Sequence, residues 1–306
     1  MSFHFRDYAE QASNWGRWGA NDYYGALNLI TPEKIAASHA SVAQGIVIPL
    51  ALDLNSQGPQ QFTSNRQNLL HIMTRTGKTE PLQGGFQYMD DIVMLHTQAS
   101  TQLDGLSHVA YDGFLYNGFP AESVTDAGAA HLGIEHLRGG IHGRGVLLDL
   151  PKYFGAKRLI DSYCITPEDL KGCLDAQGVT LEPGDIVVVR TGWIQTFLEE
   201  HDREKYLSSE PGLGIPAALW LKEQDVAMVC SDNWAIEIVA HLYAEEVMPV
   251  HCLVIRDAGM LFGEMLNLEG LSRHCSQSQR WEFLFACQVL PISGGIGAPI
   301  SPVAVF

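Results

Sequence analysis

Between Gln98 and His108 the chain crowds together side chains able to hold a cation or move a proton: Gln98, Gln102, Asp104 and His108. Asp104 and His108 stand four apart. If Leu103 to Ala110 begins a helix, that spacing stacks a carboxylate on an imidazole, where the acid can orient the base or both can meet one substrate. Thr101, three residues before Asp104, also fits a capping box, in which the acid only satisfies backbone N–H groups at a helix start. Caps and active sites draw on the same residue types, so the segment alone leaves both readings open.

A second dense stretch runs from Pro249 to Leu271, PVHCLVIRDAGMLFGEMLNLEGL. His251 is expected to enter a strand, Asp257-Ala258-Gly259 to turn, and Glu264 to open the following segment. By residue type alone, a histidine before an apolar run is more often a satisfied core residue than a ligand. Asp232 and Asn233 follow the strand expected at Val226–Ser231, where open α/β sheets place their working residues, although an ordinary turn serves equally. Tyr111, Phe114 and Tyr116 could wall an apolar pocket or simply fill core. His96 reads as structural, and His131, His136 and His142 have no partner at metal-site spacing.

QASTQLDGLSH resembles the signature of the cyclase family that contains bacterial kynurenine formamidase and isatin hydrolase. That signature reads His, any residue, Gly-Thr-His, any residue, Asp, three residues, His. Thr101, Asp104 and His108 match it. Gln98 and Gln102 stand where short members have histidines, and Ser100 replaces the glycine; Gln at the second position resembles the longer branch. NWGRWGANDYYGALNLITPEK and SDNWAIE resemble that branch as well. The resemblance implies an α/β fold of the swivelling β/β/α kind, as one domain over residues 1–306 with an N-terminal arm in residues 1–30.

In that family a histidine and a glutamate at about the separation of His251 and Glu264 complete the site. The resemblance therefore implies Asp104, His251 and Glu264 as metal ligands, with Gln102 and Gln98 as neutral oxygen donors. His108 would be the general acid/base, with the Asp104 and Glu264 carboxylates sharing the catalytic work. Two amides in place of imidazoles make the site harder, which favours Mn²⁺ or Mg²⁺ over Zn²⁺. The implied chemistry is hydrolysis of an amide, lactam or lactone in a small molecule, aromatic ones included. The same groups without a metal could run cyclisation, dehydration or isomerisation. A non-catalytic small-molecule binding protein is the third reading. Asp232, Asn233 and Tyr111 are candidate substrate contacts. Trp15 and Trp18 either reach the substrate or, more in keeping with an arm, pack or hold a subunit contact in a homo-oligomer, a dimer or tetramer.

The rest of the sequence must position these groups. At 306 residues and 46% hydrophobic content the chain can bury a large core. A formal charge of −16 argues against nucleic acid or an anionic membrane as partner. Six scattered cysteines without a CxxC pair read as free thiols of a reducing compartment, and no signal-like N-terminus or long apolar run is present, so a cytoplasmic protein is expected. Thr31-Pro32-Glu33 predicts a helix to about Ala43, and Thr166-Pro167-Glu168-Asp169 predicts another. IVIPLALDL, Ile92–Thr97, GVLLDL and IVVVRTGW predict strands, the last buried on both faces. Gly212–Glu223 is expected to be helical, and Ser56–Asp91 a long polar loop of the lid or binding type. The C-terminal stretch, Trp281–Phe306, predicts a strand, a GGIG turn and a final strand. GGIGAP has the wrong glycine spacing for a dinucleotide site, and no Walker, GxSxG or HExxH sequence occurs.

Overall fold

The β-branched and leucine-rich runs form the centre of a nine-stranded mixed sheet. The computed structural model describes residues 4–61, 65–239 and 246–306. In chain order the strands are β1 Val47–Pro49, β2 Leu70–Arg75, β3 Asp90–Met94, β4 Gln102–Asp104, β5 Val124–Thr125, β6 Gly128–Ala129, β7 Ile141–Asp149 and β8 Cys164–Ile165. They continue as β9 Ile186–Arg190, β10 Gly212–Leu213, β11 Met228–Ser231, β12 Leu261–Glu264, β13 Glu282–Cys287, β14 Gly297–Pro299 and β15 Val303–Val305. The large sheet runs β1-β15-β13-β7-β9-β11-β12-β4-β14.

Its centre, β7-β9-β11-β12, is parallel, while β13, β15 and β1 on one side and β4 and β14 on the other run antiparallel. Parallel strands need crossovers that cover both faces, which is why IVVVR reads as an unbroken apolar run. Every residue of β9 is buried. Helices Pro167–Gln177 and Ile215–Glu223 lie on these crossovers. The first is capped by Thr166, whose hydroxyl accepts from Asp169 N while the Asp169 carboxylate accepts from Thr166 N, as the sequence predicts. Helix Pro32–Ala40 is capped by Thr31.

Four expectations need correction. Leu103–Ala110 is not a helix: β4 is a strand, hydrogen-bonded to β12 on one side and β14 on the other, and a turn follows it. Thr101 is not a helix cap either. Its hydroxyl donates to Met265 O and accepts from Leu52 N, so it ties β4 to neighbouring chain. Tertiary pairing overrides the local pattern because a three-residue strand flanked on both sides satisfies its backbone without a helix. Ser56–Asp91 is not a structureless loop, since β2 lies within it and pairs antiparallel with β3. The strand expected at Ile92–Thr97 is that partner, Asp90–Met94, and it is exposed along its length. Finally, His251 stands at the end of a helical turn, Pro249–His251, that continues as a π-helix over Cys252–Asp257. A short apolar run looks alike as buried strand or buried helix.

The N-terminal segment folds back on its own chain. Phe5 and Ala12 are buried in the main core, Asn14 N donates to Asp257 O, and Ala26 N donates to Gly259 O. Gly25 is required at that last contact, because a Cβ there would lie 2.0 Å from the Gly259 carbonyl oxygen. Residues 1–3 of the expected arm lie outside the described residues.

Candidate active site

Strand geometry assembles the first half of the site. Directly opposed residues of an antiparallel pair share a face, as do residues two apart along a strand. Glu264 of β12 opposes Gln102 of β4, and Asp104 lies two residues further on, so Gln102, Asp104 and Glu264 project from one face. Gln102 Nε2 donates to Glu264 Oε2. On the other side of β4, Gly297 of β14 opposes Asp104, and a Cβ there would meet Gln98 Nε2 at 2.4 Å and Leu103 O at 2.7 Å.

The helical turn ending in His251 covers this face. Its imidazole meets the ring of Phe262 edge-on, with centroids 5.0 Å apart. His251 Nε2 lies 3.3 Å from Glu264 Oε1 and 3.9 Å from Asp104 Oδ2. Asp104, His251 and Glu264 each offer an atom within 4.8 Å of the others'. His108 Nε2 is 3.7 Å from Asp104 Oδ1. The four groups thus converge, and His108, 17% exposed, is the member open to solvent while the other three are nearly sealed.

Burial sets the electrostatics. It pushes the Asp104 carboxyl up to about 6, with the charge of Glu264 adding to the effect. It pulls the His108 imidazole down, against the attraction of Asp104, so that ring is a neutral base at neutral pH. Burial also disfavours charge on His251, but hydrogen bonds to Glu237 and Glu264 outweigh it and hold the imidazolium well above its usual range.

The donor set fits a divalent cation. Gln102 Oε1 and Asp104 Oδ1 are buried oxygens without a hydrogen-bond partner, Glu264 Oε1 has only His251 Nε2 at 3.3 Å, and two carboxylates converging on one imidazole nitrogen call for positive charge between them. Gln98 fits less well than the sequence suggests. Its Oε1 accepts from Thr97 Oγ1, and its Nε2 is packed against Gly297.

The remaining sequence candidates are placed elsewhere or act at one remove. Asp232 accepts from Thr191 N, Thr191 Oγ1 and Gly192 N, and Asn233 bridges Pro211 O and Ile236 N. Their polar atoms are spent on holding the loop after β11. Tyr111 donates to Asp257 and lies under the Arg256 guanidinium, 4.0 Å from its ring centroid. Trp15 flanks the same guanidinium at 4.2 Å and donates from Nε1 to Arg256 O. Trp18 stacks with Arg17 and packs on the core. Tyr111 and Trp15 thus clasp the Arg256 guanidinium between them, while Trp18 is engaged separately by Arg17. His96 accepts from Gln67 N, a structural role as expected.

Two contributors were missed. Glu237 accepts from His251 Nδ1 at 2.5 Å, from His251 N at 2.9 Å and from Val250 N at 3.1 Å, fixing which imidazole nitrogen faces the acids. It closes the SDNWAIE segment, yet nothing in its spacing links it to His251. Arg66 donates to Gln98 O and exerts its charge on Asp104 and His108. It sits in a polar stretch with no motif. The loop carrying Glu237 is held by Glu210, which is buried and accepts from Ala235 N at 3.0 Å.

A family model described as "Putative cyclase" matches residues 28–238. No curated protein matches the chain. Among solved structures, one described as a novel cyclase is 37% identical, with a TM-score of 0.89 over 96% of this chain and 99% of its own. Isatin hydrolase A from Labrenzia aggregata, bound to benzyl benzoate, is 17% identical, with a TM-score of 0.64 over 89% of this chain and 97% of its own. A structure described as a predicted metal-dependent hydrolase from Bacillus stearothermophilus is 16% identical, with a TM-score of 0.55 over 86% and 98%. The two distant likenesses speak for the fold. With most of the chain inside the family model and a relative above one-third identity matched end to end, this protein belongs to the cyclase family.

Proposed function

We propose that the protein is a divalent-metal-dependent hydrolase that opens an amide, lactam or lactone bond in a small, neutral, preferably aromatic molecule. One observation carries the reading: buried carboxylate and amide oxygens, Gln102 Oε1 and Asp104 Oδ1 among them without a partner, converge with His251 Nε2. Asp104, His251, Glu264 and the Gln102 carbonyl oxygen would hold the cation, with Mn²⁺ favoured over Mg²⁺ or Zn²⁺ by a mostly oxygen set. When bound, the ion supplies positive charge to polarise a carbonyl and acidify water.

The protein's own groups do the rest. His108, neutral and facing the opening, accepts a proton from attacking water at Nε2 and returns it to the leaving nitrogen or oxygen. Asp104, 3.7 Å away, stabilises the imidazolium formed in between. Glu237 orients His251, and the sealed surroundings of Asp104, Glu264 and His251 keep bulk water from competing for them. Six free cysteines support a cytoplasmic setting.

A metal-free acid/base enzyme is the second reading, favoured by an Asp104 carboxyl near 6 beside a neutral His108. Elemental analysis of the purified protein, with turnover of aryl amides, lactams and lactones before and after chelation, separates the two. Asp104→Asn is expected to lose both metal and turnover. Full activity in thoroughly chelated protein would end the metal reading, and a panel without turnover in metal-loaded protein would end the hydrolase reading.

A further inference from the structure

Arg66 is a cation kept where acids gather. Asp104, Glu264, Glu237 and Glu210 are all buried at or beside the site, and the charge of Arg66 reaches Asp104 and His108. Its Nη1 donates to the Gln98 carbonyl oxygen at 3.5 Å. Gln98 packs on Gly297, which opposes Asp104 across β4 and β14, so this bond anchors the guanidinium beside the strand that carries Asp104. The guanidinium carbon also stands 6.0 Å from the centre of the Trp234 ring, within reach of cation–π attraction. Trp234 packs on a small apolar cluster that contains Met265, the residue after Glu264. Its Nε1 is buried without an acceptor among the described residues. Arg66 is half-buried, so water screens its charge only in part.

Charge balance says what such a cation is for. The carboxylates of Asp104 and Glu264 together cancel a divalent ion, so the guanidinium beside them is surplus positive charge. Two cations close together repel unless an anion lies between them. Hydrolysis makes that anion. Water's oxygen adds to the carbonyl carbon, the bond to the leaving nitrogen or oxygen breaks, the leaving atom takes one of water's protons and the other is lost to solvent, so a neutral substrate yields a carboxylate. We propose, taking the hydrolase reading for the source of the anion, that Arg66 binds the carboxylate the reaction creates, its guanidinium held in place by the Gln98 carbonyl oxygen and the Trp234 ring. A neutral amide or lactone offers Arg66 no charge, whereas the oxygens that gain charge as the bond is cleaved do. The contact therefore strengthens as the reaction proceeds, which is the condition for it to speed the reaction. Gln98 contributes to this through its backbone, as the anchor of Arg66.

Calorimetry with benzoate, and with benzamide as its neutral counterpart, tests the assignment on the Mn²⁺-loaded protein. Arg66→Gln should weaken benzoate by about ten- to a hundredfold, the worth of a hydrogen bond between charged groups, and leave benzamide unchanged. Arg66→Lys, which keeps the charge, should recover part of the loss. Mn²⁺ affinity gives a readout of opposite sign: Arg66→Gln should bind the ion more tightly, because a repelling charge is gone, whereas the loss of a mere brace would loosen it. Benzoate soaked into wild-type crystals needs no variant, and its carboxylate should lie about 3 Å from the Arg66 guanidinium nitrogens. If the protein takes up no Mn²⁺, the hydrolase reading fails by itself, and benzoate binding to the metal-free protein then decides whether Arg66 holds an anion. A wild type that binds no benzoate, benzoate held equally by Arg66→Gln, Mn²⁺ weakened by that variant, or a carboxylate seated away from Arg66 would each overturn the proposal.

Discussion

Replacing Glu237 by glutamine is the sharpest probe of how the site is built, because it changes one oxygen to an amide without changing shape. In the wild type the carboxylate serves three donors: His251 Nδ1 and N on Oε1, and Val250 N on Oε2. Glutamine keeps one acceptor oxygen. If that oxygen stays with His251, the new NH₂ faces Val250 N–H, and a buried donor loses its partner at a cost of about 1–3 kcal/mol of folding stability. The imidazole also loses the negative charge that fixes its orientation and raises its basicity. Groups in that role are worth about 10–100-fold in metal affinity. Glu237→Gln should therefore weaken Mn²⁺ binding, measured by calorimetry, by that factor, with kcat falling more than KM rises. Denaturant unfolding of the metal-free variant reads the stability term separately. A variant that loses stability yet binds Mn²⁺ as tightly as the wild type would show that Glu237 only braces the helical turn, and the reasoning about His251 would be wrong.

Two further outcomes follow from the same geometry. In the metal-free protein Asp104 should contribute a loss of stability as pH rises from about 4 to about 6, a window it shares with buried Asp232. Asp104 is raised from an ordinary 3.8 to about 6, so in that window the folded state holds a proton that the unfolded chain releases, an effect of about 3 kcal/mol. A cation must displace that proton and the one on His251 Nε2, so metal affinity should already fall as pH drops through neutrality and fall more steeply below pH ~6; an Asp104→Asn variant with an unchanged stability profile would refute the assignment. Gly297→Ala should push β14 away from β4, because the added methyl meets Gln98 Nε2 and the Leu103 carbonyl. A lower melting temperature together with weaker metal binding is expected, and an unperturbed variant would mean that the β4–β14 edge does not position Asp104.

What the sequence determined by itself was the chemistry and the buried scaffold. The family resemblance, carried by the residues at Gln102, Asp104, His108, His251 and Glu264, marked the groups that meet, and the apolar runs at Ile186–Arg190 and Met228–Ser231 marked the centre of the sheet, because burial on both faces leaves no polar alternation. Helix starts at Thr31 and Thr166 were legible for a local reason: a cap, a proline and an acid act within one turn. Tertiary structure alone decided how the chemistry is presented. The four-residue spacing of Asp104 and His108 looked helical, yet pairing of β4 on both edges made it a strand and a turn. Glu237 and Arg66 reach the site only through loops whose paths depend on distant anchors such as Glu210 and Thr191. Local propensity is encoded over a few residues, whereas cross-strand register and loop anchoring are fixed by partners tens to hundreds of residues away, and no spacing within one segment records them.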